Sequence, residues 1–347
     1  MSRLLHPDLR AVARRVAVTS ATAYAIGGEV RDLSAALAAT GAGAGDRGRP
    51  PDEPPALLLQ ALESELYSRL YCRLETAAAA GAPGDRRALL GRLSAANCGR
   101  GSWEPGWRVV ERDDDGRLAV IKDQVTFWVE PDGLRCRGEI VPGAYCRVRV
   151  GKELRNLVPG FYVAIGDGDA GDDDRPGPLL RLYWHLAEPA AAVAYVAEAT
   201  RRLNAAGVPF RTKVVADPGG YLRADAGVLY LERRDYRRLR PEIRAIHRRL
   251  ATSLRPEVPL FTRPLLPGLG VADDPRDGTS FGQSRCRLVA GGLWLAHRRG
   301  ATGPAARAGA LAEVFAAAGL DPRRPHLEPG SRDVAALAPR RRRSATR

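Results

Sequence analysis

The sequence predicts an α+β fold: a helical N-terminal region, then a mostly antiparallel sheet with flanking helices. Three observations predict it. Up to about residue 100, apolar side chains recur at spacings of three and four, the period of a helix. From 101 onward, short β-rich runs are separated by turn signals such as DDDG and PDG, as in an antiparallel meander. After 189, long alanine-rich runs return between further strands.

Taken in order, Leu5–Val18 and Ala56–Leu74 each carry the helical repeat, the second starting just after PDEPP. Between them TGAGAGDRGRPPDEPP reads as a loop. WRVVERDDDGRLAVIKDQVTFWVEPDGLRCRG, CRVRVGKEL, PGFYVAIGD and RLYWHLA supply a sheet of five or more strands. The connection DGDAGDDDRPG loosely resembles a calcium loop, but it lacks the closing glutamate and flanking helices of an EF-hand, so it reads as a solvated acidic hairpin loop. PAAAVAYVAEATRRLNAA, residues 189–206, is a helix, with Pro189 in its first turn and Gly207 at its end. Strand VPFRTKVV, turn DPGGYLRAD, strand GVLYLE and a basic helix from Asp235 to about Leu254 follow. The segment 274–287 reads as irregular, 304–318 as a small-residue helix, and PRRRRSATR as a frayed tail. The expected division is a helical recognition region at 1–100, a catalytic domain at 101–325 and a basic tail at 326–347.

Composition bounds the function. With 347 residues and 45% hydrophobic content, the chain can bury a substantial core. No apolar run approaches the roughly 20 residues of a membrane span, and MSRLLHPDLRAVARR has no secretory apolar region. The five cysteines are scattered and odd in number; neither a disulfide framework nor a zinc site is expected, and a reducing cytoplasm is the natural compartment. The net charge of +14 favours an anionic partner. Nucleic acid is disfavoured, because no zinc-finger, KH or RNP pattern is present. A kinase is disfavoured too: there is no glycine-rich loop with its lysine, and no HRD and DFG pair.

Of 54 basic side chains only Lys122, Lys152 and Lys213 are lysines. A guanidinium cannot give up its proton inside a protein, whereas an amine can. Strand side chains alternate between faces. FRTKVV therefore puts Arg211 and Lys213 on one side and Phe210, Thr212 and Val214 on the other. RLYWHLA puts Arg181, Tyr183 and His185 together, opposite Leu182, Trp184 and Leu186. Lys122 shares a face with Gln124. Arg285 and Ser280 lie in SFGQSRCR, where Gly278 and Gly282 are expected to let backbone amides approach a ligand.

Each residue alone has a bland reading, as a solvated surface arginine or a structural histidine. Together they suit a phosphorylated substrate, since guanidiniums bind phosphate oxygens through paired charge-assisted bonds. Neighbouring positive charge favours a neutral amine. Lys213 is the expected general base for the α-proton of phosphoserine or phosphothreonine, and His185 the acid toward the departing phosphate. Tyr183 would steady the enolate-like oxygen, while Arg211, Arg181, Arg285 and Ser280 would hold phosphate. The products are a dehydroamino acid and phosphate; this chemistry calls for no cofactor and no metal.

The succession PGFYVAIGD, RLYWHLA, PFRTKVV, YLRADAGVLYL and GLGVADDPRDGTSFGQSRC resembles the HopA1 effector family over about 100–320. The resemblance implies a fold like that of phosphothreonine lyases, whose sites use a lysine base, a histidine acid and phosphate-binding arginines. Members also occur in gene clusters for class V lanthipeptides and thioviridamide-like peptides. There a separate kinase-like protein phosphorylates Ser or Thr of a ribosomally made precursor, and the HopA1-like protein eliminates the phosphate. FRTK and SFGQSRC map the base to Lys213 and phosphate contacts to Arg211 and Arg285; YWH maps the acid to His185. Lys122 is a further candidate, for phosphate binding or in exchange with Lys213. The implied partners are a phosphorylated precursor peptide and the kinase, with no nucleic acid and no membrane, and residues 1–100 would recognise leader peptide or kinase. The alternatives are a non-catalytic precursor- or kinase-binding component and a secreted effector lyase.

Overall fold

The computed structural model describes residues 5–39, 55–74, 84–122, 125–155, 158–169, 177–275 and 277–333. In chain order the elements are α1 (Pro7–Arg15), β1 (Val16–Ser20), β2 (Ala23–Ile26), β3 (Glu29–Asp32), α2 (Ser34–Ala39), α3 (Ala56–Glu65) and α4 (Arg86–Ala96). Then come β4 (Ser102–Arg112), β5 (Leu118–Lys122), β6 (Val125–Val129), β7 (Leu134–Cys136), β8 (Tyr145–Val150), β9 (Glu153–Leu154), β10 (Phe161–Ile165) and β11 (Leu179–Trp184). The chain continues through α5 (Pro189–Ala205), β12 (Phe210–Val215), β13 (Gly227–Glu232), α6 (Tyr236–Leu250), β14 (Arg263–Leu266), β15 (Leu269–Asp273), α7 (Phe281–Arg298) and α8 (Pro304–Ala317). The fold is α+β, with antiparallel strand pairing in each sheet described below.

The chain divides into two compact units. One comprises Met1–Ala79, Glu257–Leu265 and Gly270–Arg347; the other comprises Ala80–Pro256 and Leu266–Leu269. This division differs from the expected one at 100 and 326, because the C-terminal helices belong with the N-terminal segment. The expected loop at 40–54, Gln124, most of the acidic connection (170–176) and the tail from 334 lie outside the described residues.

In the first unit, α7 packs against α8, α3 and β1, and α8 against α1. The expectation of an all-helical first hundred residues is corrected here. Helix α1 stops at Arg15, and Val16–Ser20 continues as the first strand of a β1-β2-β3 sheet. Leu9, Val12, Ala13 and Val16 fit a helical repeat, but Val16 and Val18 are buried with the period of a strand. The β2–β3 turn is made by Gly27 and Gly28 at φ +63° and +92°, a conformation that favours glycine.

The second unit holds two antiparallel arrays. The first sheet runs β6-β5-β4-β8-β7, and in the second β11, β13, β12, β10 and β9 lie side by side in that order. The first sheet buries Trp107, Val109, Leu118, Val120, Leu134, Cys146 and Val148 on its inner face. Val150 of β8 packs with Val163 and Ile165 of β10, so the inner face of the first sheet meets the second sheet. Helix α5 covers the opposite face of the second sheet. There the Tyr195 hydroxyl lies 2.8 Å from the Thr212 hydroxyl, which itself bonds Val228 O at 3.0 Å.

One expectation about cysteines is overturned. Cys136 and Cys146 are cross-strand partners of β7 and β8, with Cα atoms 4.4 Å apart, and they form a disulfide. They stand ten positions apart in sequence, so only the hairpin register brings them together.

Candidate functional site

Register decides which side chains share the face of the second sheet opposite α5. Arg211 of β12 pairs with Ile165 of β10 and Tyr230 of β13, and Tyr230 pairs with Arg181 of β11. Two residues along, Val163, Lys213, Val228 and Tyr183 form the next row. The alternation expected for FRTKVV holds, with Phe210, Thr212 and Val214 buried on the α5 side. One sheet face therefore carries Lys213, Arg211, Arg181 and Tyr183.

Aromatic rings organise the cations. Lys213 Nζ lies 4.5 Å from the Phe161 ring centre and 5.9 Å from that of Tyr230. The Arg181 guanidinium sits 5.3 Å from Tyr230, and that of Arg223 sits 5.4 Å from Phe161. Such contacts fix a cation's position without taking its protons. Arg223 is itself held by Asp225 through Nε–Oδ1 at 2.5 Å and Nη2–Oδ2 at 3.0 Å, and Asp225 is buried.

The first sheet contributes from its inner face. Glu104 of β4 accepts from Arg211 Nη2, and from Lys122 Nζ of β5 at 2.9 Å. Lys122 also donates to Pro105 O at 2.7 Å. Burial pulls the Glu104 carboxyl upward, but Arg211 and Lys122 outweigh it and hold the group below its usual range. The third lysine is structural: Lys152 Nζ donates to Ser94 O and Asn97 O at the end of α4. Lys213 differs from both, since among the described residues no carboxylate or carbonyl takes its protons.

The structure refines the other expected residues. Both faces of β11 are buried, so Arg181 is enclosed at 8% exposure and Tyr183 at 2%, not spread on a half-exposed sheet. His185 follows the last paired residue of β11. It is buried, with its N–H donated to Gly268 O and its O accepting from Arg255 N. Pairing therefore does not hold it on the Arg181 face.

Two residues leave the set. Arg285 and Ser280 belong to the first unit, in a segment that is not irregular but helical from Phe281. Arg285 is 1% exposed and donates to Pro325 O, Leu327 O and Glu328 Oε1, the last at 2.6 Å. Its donors tie the C-terminal segment to α7, which excludes the expected phosphate contact. Ser280 caps α7: its Oγ accepts from Gln283 N and its N–H donates to Gln283 Oε1, both at 3.1 Å. Gly282 is small for packing, not ligand approach, since a Cβ there would lie 2.7 Å from Tyr67.

Phe161, Tyr230, Arg223 and Glu104 are cluster members that the sequence reading missed. Tyr230 had a visible signal, a polar-tipped ring on a strand that lies between two arginine-bearing strands.

A profile of the HopA1 effector protein family matches residues 153–327, half of the chain. The chain belongs to the HopA1 effector protein family. No curated protein matches this HopA1-family chain. Solved structures similar to it include two effector proteins. The effector protein from Pseudomonas syringae pv. syringae strain 61 shares 17% identity at a TM-score of 0.46, over 85% of this chain and 96% of that one. The effector from P. syringae pv. tomato strain DC3000 shares 16% at 0.39, over 79% and 99%. Within this HopA1-family chain, Phe161, Arg181, Lys213, Arg223 and Tyr230 fall inside the matched span, whereas Glu104 and Lys122 fall outside it.

Proposed function

We propose that this HopA1-family protein is a carbon–oxygen lyase that eliminates phosphate from phosphoserine or phosphothreonine of a polypeptide. The observation that supports the reading is one sheet face on which the Lys213 amine has ring contacts but no carboxylate partner, with Arg181, Arg211 and Arg223 around it. In the reaction, Lys213 as the free amine removes the α-proton. The C–H electron pair becomes the Cα=Cβ bond, the Cβ–O bond breaks, and its electrons leave on phosphate. Guanidiniums aimed at that charge stabilise the transition state more than the ground state. His185 is the proposed proton donor to the departing group, with Tyr183 toward the substrate carbonyl.

Phosphate would enter beside Glu104, which already neutralises part of Arg211 and Lys122. The anion must therefore share or replace that carboxylate, a demand that favours a dianionic phosphate ester over a single carboxylate.

The proposed substrate is a ribosomally made precursor phosphorylated by a separate kinase-like protein, giving dehydroalanine or dehydrobutyrine. Family membership supports that source, and a kinase-like gene with a short Ser/Thr/Cys-rich precursor beside this one would extend it. The direct test incubates the protein with synthetic phosphothreonine and phosphoserine peptides. Inorganic phosphate and a peptide lighter by phosphoric acid are expected, with no change in the unphosphorylated control. Intact phosphopeptide after prolonged incubation would contradict the reading.

A further inference from the structure

Strand β4 breaks its regular pairing where it meets the cation cluster. Glu104 pairs with Val148 and Trp107 with Cys146, so three steps along β4 match two along β8. Pro105 and Gly106 make this bulge, with Gly106 at φ +83°. On a regular strand, residues three apart point to opposite faces. The extra residue lets Glu104 and Trp107 both face inward. Trp107 packs in the core of the first sheet, and Glu104 reaches Arg211 and Lys122. The same bulge brings Pro105 O to Lys122 Nζ at 2.7 Å. A local break in the ladder therefore aims one carboxylate at two cations of the cluster.

That carboxylate stands where a substrate anion needs to bind. Glu104 is the one acid on Arg211 among the described residues, and the Arg211 side chain is 47% exposed, so a ligand can reach its remaining donors. Fixed to the backbone, Glu104 competes for Arg211 as though present at a concentration on the order of millimolar. A free monocarboxylate makes the same bonds with no added charge and does not displace it. A phosphate ester brings about two charges and three acceptor oxygens, and does.

We propose that Glu104 is a resident competitor for the phosphate position. It yields Arg211 and Lys122 to a dianionic phosphate, excludes single carboxylates, and returns to both cations to expel inorganic phosphate once the Cβ–O bond has broken. The origin of that phosphate rests on the lyase reading; the competition itself does not. Phosphate held by two cations leaves slowly unless other bonds replace those that break. Glu104 supplies the replacements. A carboxylate that only fastened the two sheets together would have the opposite signature, because its loss would loosen Arg211 and weaken anion binding.

Isothermal titration with inorganic phosphate at fixed ionic strength, comparing wild type with Glu104→Gln, tests this. The substitution keeps the shape of the side chain and removes its charge. The variant should bind phosphate at least about tenfold more tightly, equivalent to about 1.4 kcal/mol. Adding Arg211→Gln should abolish that gain. Circular dichroism and Tm confirm that both variants are folded. Equal or weaker affinity in Glu104→Gln, or a gain that survives removal of Arg211, would overturn the proposal. The wild type gives a second measurement that needs no variant: it should bind phosphate, and acetate at equal concentration should not displace it. Displacement by acetate, or no phosphate binding at all, would also overturn it. The two readings fail separately. Wild type that binds phosphate in this way but leaves phosphothreonine peptide intact sinks the lyase alone. A working lyase whose inhibition by phosphate is no stronger in Glu104→Gln sinks the competitor alone.

Discussion

Glu104 is the side chain on which the charge balance of the cluster turns. Its folded pKa lies below its ordinary value because Arg211 and Lys122 outweigh the burial that pushes it up. Its stabilising contribution is therefore complete above the unfolded carboxylate range and is lost as pH falls through the folded value. Glu104→Gln should cost about 1 kcal/mol near neutral pH, a charge-assisted bond discounted because the Arg211 side chain is 47% exposed. On acidification the wild type should lose its advantage, so melting temperatures measured from pH 7 to about pH 3 should converge. A constant gap would contradict the pairing. Lys213 and Arg211 were legible on one strand face because alternation is a local rule. Glu104 and Arg223 were not, since one reaches the cluster from another sheet and the other through a turn, and no local period encodes either.

At the scale of elements, helix α7 and the β7–β8 hairpin separate packing from chemistry. Ser280→Ala removes a capping box and should cost about 1 kcal/mol. A lower Tm with unchanged phosphate release is expected; loss of release with unchanged Tm would return Ser280 to the site. The Cys136–Cys146 link closes a short loop, worth about 2 kcal/mol between strands that already pair. Adding reductant, or Cys136→Ala with Cys146→Ala, should lower Tm by several degrees, and an unmoved transition would contradict it. Helices α5 and α8 were readable from their proline starts and apolar repeats, and the strands of the meander from their turns. The β1–β3 sheet was hidden because alanine-rich sequence satisfies a helical repeat as easily as a strand's. Helix α7 was hidden because its glycines, Gly282 packed against Tyr67 and Gly292 against Leu311 among them, imitate a loop.

At the scale of the whole chain, the first unit joins segments from both ends of the sequence, a closure that periodicity cannot reveal. The net charge of +14 predicted an anionic partner, but not which surface receives it. On the proposed reading, the residue pattern of one sheet face narrows that partner to a phosphate ester, and the same face asks one lysine to act as a base. Phosphate release by full-length Lys213→Arg, set beside its affinity for the same phosphothreonine peptide, tests this most directly. The substitution keeps the positive charge and removes the exchangeable amine. The account predicts affinity within about threefold of wild type and elimination slowed by about 10²–10⁴-fold, the usual contribution of a positioned base. Release at the wild-type rate would contradict it.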